Sequence, residues 1–200
     1  MADDLFGVLR PPVPGQQKTI VVLGAPRGGT SMVAATLRAL GVMMGEELGS
    51  QHEDREFRRD VPLPEMIRTI HERNAAYDLW GWKLPNSIYY LEELLPHLRN
   101  PHFIVVFRNP FSISMSSAAR DRREYTLRLL HVAVNHTKKV LNLMEQVHVP
   151  TALVGFETAI KKPQDFVRAL ADFIGVNCDD RAVEEVIDAA ISKELGYRRL

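Results

Sequence analysis

The chain has 200 residues, with 25 lysines and arginines balanced by 25 aspartates and glutamates, for a formal net charge of 0 at pH 7. That length suits a single α/β domain, here residues 1–200, and the balance gives no overall basic field for nucleic acid or an anionic membrane, so any nucleotide must be held by local placement. No stretch is long and apolar enough to span a bilayer, and the first residues are acidic where a signal peptide is basic, which predicts a cytoplasmic protein. The only cysteine, Cys178, cannot form an internal disulfide and is assigned no role.

Residues 1–16, with Pro11, Pro12, Pro14 and Gly15, predict an irregular N-terminal leader. The continuous apolar, β-branched run 20–23 then predicts a strand covered on both faces. Gly24, Gly28 and Gly29 follow as a tight turn, and Thr30 and Ser31 open a helix with Met32, Leu37 and Leu40 on its apolar face. Free N–H groups and the helix dipole converge at such a turn on a phosphate or sulfate. Gly24 and Gly29 keep the spacing of the phosphate-loop pattern G-x-x-x-x-G-K-[ST], with Ser31 at the hydroxyl position but Thr30 in place of the lysine.

A polar loop over residues 45–53 leads into helical sequence at 54–60 and 64–74. It is expected to lie above the cradle, because ligands of parallel sheets bind beside the loops that follow strand ends. Residues 80–84 predict a second strand, and Ser87 is read as the cap of a helix through Leu98 with Glu92 and Glu93 outward. Residues 102–107 predict a third strand, followed by a helix with Asn109 as cap and Pro110 in its first turn. That strand ends in Arg108, not in the aspartate that would hold Mg²⁺ in a nucleoside triphosphatase, which points to a further anion instead of Mg–ATP.

A long amphipathic helix is predicted over 124–147, its core stripe read as Leu127, Leu130, Val134, Leu141 and Met144. Residues 151–154 predict a fourth strand, and 163–174 and 179–191 closing helices, the first ended by Gly175. Alternating strands and helices imply a three-layer α/β/α sandwich around a mainly parallel sheet. His71, His97, His102, His131, His136 and His148 show no metal-ligand spacing and read as structural, and no metal site is predicted.

Three stretches together resemble the sulfotransferases that use 3′-phosphoadenosine 5′-phosphosulfate (PAPS). GAPRGGTS, residues 24–31, is similar to that family's 5′-phosphosulfate loop, and Arg108-Asn109-Pro110 followed by Ser116 to its 3′-phosphate element. The stretch from Val154-Gly155-Phe156-Glu157-Thr158 through Pro163 to Phe173-Ile174-Gly175 is similar to its last strand and following helix. Gly81-Trp82-Lys83 and residues 53–57 resemble segments of bacterial members. The resemblance implies a fold like that of P-loop nucleoside kinases and a sheet order of 80–84, 102–107, 18–23, 151–154. It also implies metal-independent, in-line transfer of a sulfuryl group from PAPS to a hydroxyl or amine acceptor, releasing adenosine 3′,5′-bisphosphate.

Carried over by residue, the resemblance gives Arg27, Gly28, Gly29, Thr30 and Ser31 to the 5′-phosphosulfate and Arg108 and Ser116 to the 3′-phosphate. Lys83 and Arg27 are expected to stabilise charge on the bridging oxygen. The position where cytosolic members have a histidine base is Pro85, so the base is sought in the loop: Glu53 first, with His52 and Asp54 as alternatives. Arg120, Arg122 and Arg123 read as a solvated helix junction, with an anionic ligand as the alternative, and Arg198 and Arg199 offer a second hold on the 3′-phosphate. The acceptor is read as a small molecule, glycan or peptide, exposed, small or closed in by a second subunit in a homo-oligomer. Two other functions stay open on the residues: an ATP-dependent phosphotransferase, and a binding protein that keeps the nucleotide site without turnover.

Overall fold

The apolar run at 20–23 lies in the middle of β2 (Lys18–Gly24), every residue of which is buried. In the computed structural model, which describes residues 5–15, 17–46, 48, 51–122 and 124–192, four more strands join it: β1 (Phe6–Arg10), β3 (Leu79–Lys83), β4 (Pro101–Phe107) and β5 (Thr151–Gly155). They pair in the order β1-β5-β4-β2-β3. All pairings are parallel except β1 with β5.

Two expectations are corrected here. The phosphate-loop strand lies between β3 and β4, whereas the expected order put 102–107 in that place. Arg108 therefore follows a strand directly beside β2, with β5 on its other side. Within the stretch expected to be irregular, Phe6–Arg10 forms an edge strand against β5, with a register shift between Val8 and Arg10. Its middle three residues are exposed, so it carries no apolar alternation from which a strand could be read.

The helices are α1 (Thr30–Ala39), α2 (Leu63–Ala76), α3 (Leu91–Leu94), α4 (Pro110–Arg120), α5 (Leu127–Gln146), α6 (Phe156–Ala159), α7 (Pro163–Ile174) and α8 (Asp180–Val186), the last continued by a π turn at Ile187–Ile191. Side chains alternate across the sheet. Ile20, Val22, Ile104, Val106, Ala152 and Val154 face Val33, Leu37, Phe166, Leu170 and Val183 of α1, α7 and α8. Val21, Leu23, Trp80, Trp82, Phe103 and Val105 face Ile70, Leu91, Leu94, Val140 and Leu143 of α2, α3 and α5. The chain is thus the three-layer sandwich expected. Buried Lys18 donates from Nζ to Ile174 O at 2.8 Å, tying the start of β2 to the last carbonyls of α7, where a cation is favoured.

Three helix assignments change. Residues 54–60 form only a 3₁₀ turn, Arg55–Phe57, with Asp54 as its cap. The helix expected at 87–98 is broken into a 3₁₀ turn at Pro85–Tyr89, α3, and a second 3₁₀ turn at Leu95–His97, consistent with Pro85 and Pro96 interrupting the i→i−4 ladder. Ser87 does not cap it; its buried hydroxyl accepts from Trp82 Nε1 at 2.9 Å. On α5 the core face is Leu129, Ala133, His136, Val140, Leu143 and Met144, while Leu127, Val134 and Leu141 of the expected stripe are exposed.

Candidate functional site

Parallel pairing brings the carboxyl ends of four strands level. Val22 is opposite Lys83, Gly24 opposite Val106, and Phe107 opposite Gly155, so the loop after β2, the end of β3, Arg108 and Phe156 share one edge of the sheet. Gly28 N donates to Ala25 O at 2.8 Å and closes the turn. Arg27 and Gly29 have φ of 65° and 94°, with Gly28 between them outside the positive region. Two residues of positive φ on either side of Gly28 curl the backbone tightly, and α1 begins directly after it with no side chain capping its first N–H groups, an end that favours an anion. Gly29 is also forced by contact: a Cβ there would stand 2.1 Å from Phe156 Cδ2.

Arg108 reaches over this turn. Its Nη1 donates to the Arg27 carbonyl at 2.8 Å and its guanidinium lies 5.0 Å from the centre of the Phe156 ring. Phe156, read from sequence only as part of a strand-and-turn pattern, is thus packed between Arg108 and Gly29. Asn109 caps α4 through Oδ1, which accepts from Phe111 N at 2.9 Å and Ser112 N at 3.4 Å; its own N–H donates to Glu157 Oε1 at 3.0 Å. Ser116, two turns along α4, accepts from Arg27 Nε at 3.2 Å. Arg27, Arg108 and Ser116 therefore form one connected group.

The described end of the loop after α1 meets the turn at Gln51, where its position predicts. Ser31 Oγ donates to Gln51 O at 2.9 Å, and Gln51 Oε1 accepts from Arg27 Nη1 at 3.4 Å and from Arg120 Nη1 at 3.0 Å. Arg120, read first as part of a solvated helix junction with an anionic ligand as the alternative, thus reaches the loop over the turn, and Gln51 joins it there, although a glutamine in a polar loop has no distinguishing pattern. Arg123, Arg198 and Arg199 lie outside the described residues.

The three candidates for the base separate. Lys83, buried at the end of β3, donates from Nζ to Glu53 Oε1 at 3.3 Å, and Glu53 is half-exposed. Asp54 is buried, forms an ion pair with Arg73 and accepts from Glu56 N at 3.1 Å, so its oxygens are held within the protein. His52 has a φ of 52° and its Nδ1 lies 3.5 Å from Arg38 Nη1, while burial, with Arg38 and Lys83 adding, lowers its pKa. His136 also bears on this region from α5: it is buried, with the backbones of Pro85 and Gly24 beside it, and burial lowers its pKa. Among the described residues no group of three or more His, Cys, Asp and Glu is placed to hold a metal ion, and no helix is long and apolar enough to cross a membrane.

Residues 47–180, about two thirds of the chain, match the sequence profile described as the sulfotransferase family. The match includes Glu53, Lys83, Arg108 and Ser116 and begins after the glycine turn. No curated protein sequence matches significantly. Among solved structures, the sulfotransferase domain of the Synechococcus PCC 7002 olefin synthase superposes with a TM-score of 0.61 at 17% identity, over 93% of this chain and 85% of that one. Mouse sulfotransferase SULT7A1 complexed with PAP gives 0.59 at 12% identity, over 92% and 68%. Sulfotransferase STF1 from Mycobacterium tuberculosis H37Rv gives 0.57 at 12% identity, over 86% and 71%. At these identities the likenesses speak for the fold alone, over more of the chain than the profile matches. The chain belongs to the sulfotransferase family.

Proposed function

We propose that the protein transfers a sulfuryl group from PAPS to a hydroxyl or amine acceptor by in-line displacement, without a metal ion. The observation that supports this reading is the placement of Arg108: it leans on the glycine turn through the Arg27 carbonyl and lies within one connected group with Ser116, so the two elements read as anion-binding lie side by side. A donor with a 5′-phosphosulfate and a 3′-phosphate matches two such elements, and a structure of a mouse relative in the same fold is complexed with PAP.

In this reading the N–H groups of Arg27 and of residues 29–31 hold the phosphosulfate around the turn that Gly28 closes, with the Ser31 hydroxyl turning to it from Gln51 O, and Arg108 and Ser116 hold the 3′-phosphate. The acceptor O–H gives its proton to the Glu53 carboxylate as its oxygen forms the new bond to sulfur. The S–O bond to the 5′-phosphate breaks, and its electron pair leaves on adenosine 3′,5′-bisphosphate. Lys83 and Arg27 stabilise the charge that develops on that bridging oxygen. A sulfuryl group carries less charge than a γ-phosphoryl group, so fixed cations can take the part that Mg²⁺ takes in phosphoryl transfer.

The test is calorimetric titration with adenosine 3′,5′-bisphosphate, AMP and ATP, with and without EDTA. The reading expects the bisphosphate to bind tightest and EDTA to change nothing; equal affinity for AMP removes the 3′-phosphate site.

A further inference from the structure

We propose that the acceptor is a small molecule carrying an oxyanion, a carboxylate in the first instance, held by Arg55, Arg58 and Arg59 beside Glu53. The inference deepens the reading of the preceding subsection and rests on Glu53 acting there as the base. It starts from a cavity of about 420 Å³ lined by Gln51, Glu53, Arg55, Arg58, Arg59, Asp60, Leu84 and Asn86. Glu53 and Gln51 are shared with the donor crevice: Gln51 bonds Arg27 and Ser31, and Glu53 bonds Lys83. The cavity therefore adjoins the group expected to take the acceptor proton, and its volume suits a small ligand instead of a polymer groove.

Its lining is rich in arginine in a chain whose net charge is 0. Its lining residues include Arg55, Arg58 and Arg59 with Glu53 and Asp60; Glu53 is paired with Lys83 at 3.3 Å, and Asp60 engages Arg58 through Nε at 3.2 Å, which leaves the Nη groups of Arg58 and the Arg59 guanidinium facing no lining carboxylate. Arg59 and Lys139 both lie over the Tyr89 ring, at 5.5 and 4.4 Å from its centre, which carries the positive rim outward. A planar guanidinium fork matches a carboxylate with two parallel hydrogen bonds, so the arrangement selects an acid over its neutral amide.

The arginine-bearing turn is pinned from beneath. Phe57 stacks on Trp82 with ring centres 4.2 Å apart and planes 11° apart, its carbonyl accepts from Tyr90 Oη, and Asp54 is locked to Arg73. The backbone that carries Arg55, Arg58 and Arg59 is thus fixed before any ligand arrives, while the three side chains themselves are exposed. Such preorganisation lowers the ordering cost of binding. Leu84 supplies an apolar wall and Asn86 a polar one for the remainder of the acceptor.

Equilibrium dialysis of the full chain with adenosine 3′,5′-bisphosphate present and absent tests this, using two acid–neutral pairs: 4-hydroxyphenylacetate against 4-hydroxyphenylacetamide, and glucuronate against glucose. At least one acid is expected to bind about tenfold or more tighter than its neutral partner, the worth of a hydrogen bond to a charged group. The doubly substituted Arg58→Gln, Arg59→Gln protein is expected to lose that preference and keep its affinity for adenosine 3′,5′-bisphosphate; Arg58→Lys, Arg59→Lys is expected to retain part of the preference. Equal binding within both pairs, no detectable binding by either acid, or a preference unchanged in the double glutamine variant each overturns the proposal. An acid preference without nucleotide binding supports the pocket while removing the PAPS reading, so the two fail separately.

Discussion

Lys83 Nζ lies 3.3 Å from Glu53 Oε1, with the lysine side chain 1% exposed and the glutamate 42%. The pair joins a buried strand end to the loop over the phosphate turn, and it leaves one face of the carboxylate to solvent. That geometry suits a proton acceptor whose charge is held in place from behind. Glu53→Gln is expected to leave affinity for adenosine 3′,5′-bisphosphate nearly unchanged and to slow turnover by about 10²- to 10⁴-fold. Lys83→Ala is expected to cost about 10²- to 10³-fold. Single-turnover assays with radiolabelled PAPS measure both; near-normal turnover in Glu53→Gln moves the base to another group.

Arg108 is positioned by three neighbours: the Arg27 carbonyl, the Phe156 ring and the end of β4. Its removal is expected to weaken binding of adenosine 3′,5′-bisphosphate by about 2 to 5 kcal/mol, the range for truncating one partner of a hydrogen-bonded charge pair. AMP lacks the 3′-phosphate, so its binding is expected to change little in Arg108→Ala. Parallel calorimetric titrations measure the difference, and an equal loss for both nucleotides would assign Arg108 to shaping the loop.

Asp54 has a different fate from Glu53, one residue away. It is 3% exposed and paired with Arg73, itself 7% exposed and stacked over Phe57 and Trp80. Breaking a buried pair by removing one partner costs about 3 to 5 kcal/mol, because the other charge is left without compensation. Arg73→Ala is therefore expected to lower unfolding stability by that order in urea denaturation. Stability unchanged in Arg73→Ala would mean that the loop is held by Phe57 and Tyr90 alone.

The parts of this arrangement legible in the sequence are those with a local signature. A continuous apolar run names β2, the glycines name the turn after it, and Asn109-Pro110 names the start of α4. The order of the central strands is not local: nothing in residues 18–24 or 101–107 states which neighbour each takes, and both are apolar enough for any interior place. The phase of α5 failed for a related reason. Its aliphatic residues satisfy three-four spacing in two frames, and the structure buries the one containing Ala133 and His136, leaving Leu127, at 69% exposure, outside. Gln51 and Phe156 reach the site through a carboxamide and a ring, groups that carry no charge to mark them.

Gly29 is expected to tolerate no side chain, for two independent reasons. Its φ of 94° is costly for any L-residue, by about 1 to 2 kcal/mol in the left-handed region, and an added Cβ meets the Phe156 ring at 2.1 Å. Gly29→Ala is expected to lose at least that much stability and to weaken binding of adenosine 3′,5′-bisphosphate. In a Phe156→Leu background the steric part is expected to shrink while the conformational part stays, which a double-mutant cycle separates. Additivity across the cycle would mean that the ring does not constrain the turn.

The last prediction concerns acid. His102 is fully buried in β4, with Nδ1 2.9 Å from Asn100 O and Nε2 accepting from Val13 N at 3.2 Å. That pair of contacts fits the neutral ring with its proton on Nδ1, since a protonated ring could not accept from Val13. Burial lowers the pKa of His102, the Asn100 carbonyl opposing in part and Lys18 adding to the fall; burial likewise lowers that of His136, with Lys139 adding. For both residues the folded pKa lies below the unfolded value of about 6.5. Between the two values the unfolded chain binds more protons than the folded one, so stability falls as pH drops through about 6.5 and levels off only below the folded pKa. Above that range neither ring contributes a pH dependence. Urea unfolding at neutral pH and at pH about 5 is expected to show the loss, and histidine ring resonances are expected to place His102 and His136 below the ordinary range. Resonances of His102 and His136 titrating at or above the ordinary value would assign the acid sensitivity to His52, whose pKa burial also lowers, or to carboxylates instead.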